Sequence, residues 1–434
     1  MWKERINKFN FFVLCLLAAF PLLNGKITVI LIIAFTCVSV LSGCAYGIPL
    51  ISKTRIKEAA LFIALFILIF LRTYLTDRSP DSLFYLEVSL SLLAFPSAFF
   101  LTPVRYSIKQ KTILSFIFSF STLAIIIYGE FRAALKLSQY VGSDKFWPDT
   151  SAVFQDPSFP YLFRTVFEQH AHIHPTYASV LIGISVLLML DLFLRSYSSH
   201  SRKAVVLYIS LLVLFVFMQS MLVSRTPIIA TMICSVVLIF IYLKKKIVAL
   251  YALGGIVAIS ILLMFMVPSI KTRFKEISFS NTNAPTAENE NSFNIRVGIY
   301  KCSSAIIKDN WMWGIGPGNV QKELNACYNQ ISKAVYDQKN YNSHNQFIDY
   351  WAGLGIAGPG LLLLILVYTS VRNYRIKNPV ALAISLLFLI AMLTENMLVR
   401  QNGIVPFAFF TSLFFFSDSK YKNTGNRLQS GEIA

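Results

Sequence analysis

The chain has 434 residues, 56% of them hydrophobic and only 14% charged, with a formal net charge of +18 and a mean hydropathy of +0.61. No soluble fold hides that much apolar surface, so the composition excludes a water-soluble globular protein and indicates an all-α, polytopic membrane protein. The excess of basic residues raises the prospect of a nucleic-acid partner, which the distribution of those residues removes.

Twelve apolar runs, each near the ~20 residues that span a bilayer as a helix, follow one another at 9–23, 26–42, 57–73, 82–101, 112–129, 175–195, 204–222, 225–243, 246–267, 346–370, 378–394 and 402–416. The first two are short, and residues 1–24 lack the small-residue site of a cleaved signal peptide. Basic residues crowd alternate gaps, as in Lys3, Arg5 and Lys8; Lys53, Arg55 and Lys57; Arg105, Lys109 and Lys111; Lys244, Lys245 and Lys246; and Arg372, Arg375 and Lys377. This is the positive-inside pattern of a helical bundle, with the bilayer as the partner rather than nucleic acid. It puts both termini in the cytoplasm and segments 130–174 and 268–345 outside. The chain thus divides into helices one to nine over 1–267, an outer loop over 268–345, and helices ten to twelve with a tail over 346–434.

Within the first outer segment, Trp147, Pro148, Pro157 and Pro160 mark an ordered, partly amphipathic cap. In the second, residues 279–293 are rich in Asn, Thr, Glu and Ser and read as a mobile excursion. Apolar residues return at helical spacing from Ile295 to Ile307, so Arg296 stands near a helix start. Trp311 to Asn319 reads as a Gly/Pro-rich turn, and not as a phosphate-binding Walker loop, because no Gly-Lys-Ser/Thr follows. Cys302 and Cys327 share this loop, and a disulfide between them is left open. Cys15, Cys37, Cys44 and Cys234 lie in or near spans, where a small thiol is ordinary.

Three positions draw attention as chemistry. Arg225 is the only charged residue between Val205 and Tyr242. That run is too long for one crossing at ~1.5 Å per residue, so it is two helices with a tight outer turn at Ser224-Arg225-Thr226-Pro227. An arginine there is either a snorkelling anchor or an anion site. Arg296 by itself reads as a surface residue of the loop. His344 lies at the membrane edge. His170, His172 and His174, with Glu168, would line one side of an extended strand, a pattern that raises metal binding. The cluster abuts a span opened by Pro175 and has no cysteine, so no metal is assigned; Tyr177 lies just below His174. Two outward-facing guanidinium forks suit a diphosphate, and an imidazole suits proton removal from an attacking hydroxyl. Diphosphate is already a good leaving group, so stabilising its charge replaces a general acid. No Asp-X-Asp pair in the outer segments points to a metal-dependent glycosyl transfer.

These residues resemble the O-antigen ligase/polymerase superfamily of bacterial inner-membrane glycosyltransferases. The similarity runs over roughly 205–370: Ser224-Arg225-Thr226 with Ala230, then Arg296 and Tyr300 followed by Trp313-Gly314-Ile315-Gly316-Pro317-Gly318. It closes with Ser343-His344-Asn345-Gln346-Phe347 and Gly353-Leu354-Gly355-Ile356-Ala357-Gly358. The resemblance implies a GT-C-like fold, an undecaprenyl-diphosphate-linked glycan as donor, and inverting, metal-independent transfer at the periplasmic face without a cofactor. It makes Arg225 and Arg296 diphosphate ligands and His344 the base, with His174, Tyr177, Asn345, Glu395 and Arg400 as secondary candidates. Glu395 and Arg400 also have a plain reading, as an interfacial ion pair with each other. The favoured reading is a ligase that transfers the glycan to lipid A-core, ahead of a polymerase that joins it to another carrier-linked glycan. A lipid-linked oligosaccharide transporter ranks last, because Glu87 and Asp191, the main acidic residues noted in the spans, lie away from their centres.

Overall fold

The computed structural model describes residues 2–46, 53–76, 78–102, 106–140, 159–195, 201–243, 254–255, 285, 292–336 and 340–417. The apolar run at 246–267, most of the excursion at 279–293, and Trp147, Pro148 and Pro157 of the cap fall outside the described residues, Gly254 and Gly255 excepted. The described residues form helices and connecting turns, with no strand among them.

The helices are α1 (Trp2–Ala18), α2 (Gly25–Tyr46), α3 (Lys53–Thr76), α4 (Pro80–Ser89), α5 (Ser91–Leu101), α6 (Ile108–Tyr140), α7 (Phe159–Ala171), α8 (Pro175–Arg195), α9 (Arg202–Met221), α10 (Arg225–Tyr242), α11 (Ser292–Asn310), α12 (Val320–Tyr336), α13 (Gln346–Leu354), α14 (Ala357–Arg375), α15 (Pro379–Met392) and α16 (Gln401–Ser417). Among the described residues, seven helical stretches are long and apolar enough to cross a membrane, namely α2, α3, α4 with α5, α6, α8, α9 and α10; α15 and α16 are shorter apolar helices. The protein is therefore a multi-pass membrane protein.

Local chemistry explains the boundaries. Pro80, Pro175 and Pro379 open helices, where a missing N–H costs nothing. Ser79, Ser201 and Asn378 cap the N-termini of α4, α9 and α15 by accepting from Ser82, Ala204 and Ala381. Two apolar runs that read as single crossings are broken. The run 82–101 divides at Leu90. The run 346–370 divides at Gly355, whose φ of 73° is open to glycine and takes the chain out of helical register. Pattern alone does not expose such breaks, because both halves remain apolar.

Helix α8 is the axis of the bundle. Its apolar window is 83% buried, against 17% for α9, and it packs on α6, α9, α10, α15 and α16. With no hydrophobic drive between helices in lipid, small residues and interhelical hydrogen bonds hold them. At Gly183 a Cβ would collide with Thr231 of α10, and the Gln219 amide donates to the Ser179 carbonyl and Thr231 Oγ1, both at 2.9 Å. Outside this bundle, α11 and α12 share a second small core of Ile299, Leu324, Tyr328 and Tyr336 that reaches Ala352 of α13. Cys302 and Cys327 are joined by a disulfide within it, so the loop holds folded structure of its own beside α13.

Candidate active site

Residues Ser343 to Gln346 lead into α13, and each of the four bonds to the connection between α15 and α16. Ser343 Oγ lies 3.0 Å from Asn396 Oδ1, which also accepts the Asn345 backbone N–H at 2.9 Å. The Asn345 side chain caps α13, accepting from Phe347 and Ile348, and donates to the Leu393 carbonyl at 3.0 Å. Gln346 Oε1 accepts the Leu398 N–H at 2.6 Å. His344 Nδ1 lies 3.3 Å from Glu395 Oε2. Beneath the seam, Asn396 Nδ2 donates to Asp349 Oδ1 at 2.9 Å, Tyr85 donates to Asp349 Oδ2 at 3.4 Å, and Tyr177 donates to the Asn396 carbonyl at 2.7 Å.

The seam fixes a strained backbone. His344 has a φ of 45°, a left-handed conformation that costs a non-glycine residue about 1–3 kcal/mol and persists where the surroundings over-determine it. Its N–H is held by Asn342 Oδ1 at 2.9 Å. The Glu395 side chain is only 8% exposed and that of His344 24%. The carboxylate is thus shielded while the imidazole stays within reach of a substrate. Among the described residues the His344 Nε2 makes no hydrogen bond, so one ring nitrogen is oriented and the other is open.

The electrostatics fit this arrangement. Burial alone would raise the Glu395 pKa. The hydrogen bond and charge of His344, the charge of His174 and the Asn396 N–H outweigh it and hold the carboxyl at about 2. His174 is pushed down to about 4, first by burial and then by Arg164, Arg400 and His344, against the opposing pull of Glu395. Its Nδ1 accepts the Thr176 N–H at 3.3 Å, which suits a neutral ring with the proton on Nε2. Glu395 does not pair with Arg400; Arg400 lies 3.7 Å from Glu168 on the exposed surface, a contact of small energetic weight. The histidine row expected on a strand is split instead. His170 ends α7 and donates to the Val166 carbonyl, whereas His172 sits in a turn at φ 54°.

Arg225 opens α10 after the tight turn expected from the sequence. Arg164 of α7, which sequence reasoning passed over, reaches that turn and donates to the carbonyls of Leu222 at 3.2 Å and Val223 at 3.1 Å. One cation therefore steadies the turn that presents another. Arg296 stands in the first turns of α11 and makes no hydrogen bond or ion pair among the described residues. Its neighbour Ile295 accepts from the Tyr336 hydroxyl at 2.9 Å. From there rings at 4.5–6.2 Å spacing run through Tyr328, Tyr336, Tyr341 and His344. No direct contact among the described residues joins Arg225, Arg296 and His344.

The glycines build a second junction. Ile315 N–H donates to the Ala352 carbonyl at 2.8 Å, Gly316 N–H to Gly353 at 2.9 Å, and Ile356 N–H to Trp311 at 2.9 Å. Arg72 of α3 donates to the Gly314 carbonyl at 2.9 Å. A Cβ on Gly314 would lie 2.5 Å from the Gly355 nitrogen. The two glycine motifs are thus the two halves of one backbone-to-backbone lock, which ties the loop to the end of α13 and the turn into α14.

Sequence reasoning missed Asp349 and Asn396 as well as Arg164. Asp349 is a carboxylate inside an apolar run, a signal as strong as Glu87 or Asp191; Asn396 adjoins Glu395 in a polar break between two apolar runs. A multi-pass bundle with an oriented imidazole–carboxylate pair fits the class of membrane enzymes. Residues 210–365 match the family model described as O-antigen ligase. The match spans about a third of the chain and is consistent with the O-antigen ligase/polymerase superfamily. It takes in Arg225, Arg296 and His344 and stops short of Glu395. No curated protein matches the chain.

Proposed function

We propose that this protein is an O-antigen ligase, with His344 as the general base, Glu395 as its orienting carboxylate, and Arg225 and Arg296 as ligands of the donor diphosphate. The observation that carries the reading is the His344 Nδ1 contact with the buried, ionised Glu395 at 3.3 Å. With the Nδ1 proton held by the carboxylate, Nε2 presents a lone pair. It accepts the proton of a lipid A-core hydroxyl as that oxygen attacks the anomeric carbon of the glycan. The bond from that carbon to the diphosphate oxygen breaks on the opposite face, inverting the centre and releasing undecaprenyl diphosphate. The two guanidinium groups neutralise the departing charge, and Glu395 stabilises the imidazolium formed. Twelve spans, cytoplasmic termini and a periplasmic site in the bacterial inner membrane complete the proposal.

The surface glycolipid of a strain lacking the gene tests it. Carrier-linked long glycan accumulating beside bare lipid A-core is the expected result. Core bearing a single repeat unit would instead identify a polymerase. Lipid-linked glycan trapped on the cytoplasmic side would identify a transporter.

A further inference from the structure

The helices that carry the candidate site reach, at their other ends, a cavity of about 450 Å³ with no part in the chemistry above. Helix α8 starts beside His174 and ends at Arg195, and its 21 residues separate the two places by ~30 Å at 1.5 Å per residue. Helix α15 leads from the cavity at Pro379 towards Glu395. Among the described residues, Lys111, Arg195 and Lys377 line the cavity with a single carboxylate, Asp191, leaving a formal surplus of two positive charges from three cations and one anion. Asp191 is already committed, with Arg195 at 2.8 Å and the Tyr242 hydroxyl at 2.5 Å. Leu188, Val380 and Phe414 supply an apolar wall.

We infer that this cavity binds the phosphodiester headgroup of an anionic phospholipid, with an acyl chain along the apolar wall. A basic pocket between helix ends, half lined by hydrocarbon, suits an amphiphile better than a free ion. Lys377 strengthens the reading. It holds a left-handed φ of 57° in the tight connection from α14 to α15, which fixes an exposed cation at the cavity mouth.

Native mass spectrometry of the purified full-length chain, with phosphatidylglycerol or phosphatidylcholine added to the detergent, tests the assignment. Preferential retention of phosphatidylglycerol is expected, falling roughly ten-fold or more in Lys111→Ala/Lys377→Ala, since each basic residue near a lipid surface contributes about 1 kcal/mol. The single variant Lys377→Ala, altered at an exposed turn, should lose part of that preference while its thermal unfolding stays unchanged. Glycerol phosphate at millimolar concentration should not displace the lipid. Equal retention of the two lipids, retention unaffected by the substitutions, or displacement by glycerol phosphate would each overturn the inference. None of these results depends on glycan transfer, so the site stands or falls separately from the proposed function.

Discussion

Loop and bundle are joined at two places, and the two junctions are built from different materials. At one, side chains of Ser343, His344, Asn345 and Gln346 bond to 393–398 through carboxylate, amide and hydroxyl groups. At the other, backbone meets backbone across Gly314, Gly316, Gly353 and Gly355, with nothing ionisable in the glycines themselves. Both were sequence motifs of equal visibility. The first motif holds titratable groups in an oriented and partly open arrangement, so it can do chemistry. The second holds two segments at a distance only glycine permits, so it decides geometry. A motif thus carries function or form according to which atoms it presents, not according to how distinctive its spacing is.

Four substitutions and conditions test that contrast. The largest effect is expected from His344→Asn, which keeps a residue tolerant of positive φ while removing the proposed base. Transfer in a reconstituted assay should fall about 10²–10⁴-fold with thermal unfolding little changed; full activity would sink the base assignment. Glu395→Gln should lower kcat about 10–10²-fold with KM for the donor nearly constant, because in the proposed mechanism the carboxylate orients and charge-balances the imidazole without touching substrate. An effect confined to KM would contradict that role.

Gly355→Ala should do the reverse. Its φ of 73° and the Met312 carbonyl facing the new Cβ predict a loss of about 1–3 kcal/mol in stability, read as a lower unfolding temperature, with activity per folded molecule preserved. A stable but inactive Gly355→Ala protein would erase the distinction between the junctions. The smallest effect concerns pH. His174 has its folded pKa lowered from 6.5 to about 4, so the unfolded chain takes up the proton first. Stability should therefore decline as pH falls from 6.5 towards 4. The Glu395 carboxyl, lowered from 4.5 to about 2, withdraws its contribution only below that window. His174→Gln should flatten the upper decline in unfolding temperature measured from pH 7 to 4.5, and an unchanged profile would show that His174 does not titrate as described.

The order of apolar runs, the basic clusters and the motifs around Arg225, Arg296 and His344 were legible because each is local: helix formation in lipid depends on a continuous run, and a motif on neighbours in sequence. The turn before α10 followed from chain length alone. Tertiary structure decided the rest. His344 and Glu395 are 51 residues apart, and nothing in either stretch says which carboxylate faces the ring; Arg400 was as plausible a neighbour for Glu395 until α7 brought Glu168 to it. Arg164 looked like one more basic residue until packing carried it to the turn preceding Arg225. Composition and periodicity determine which segments enter the membrane, since burial is a property of each segment. Which polar groups meet at the surface is a property of how the segments are arranged, and only the folded chain contains it.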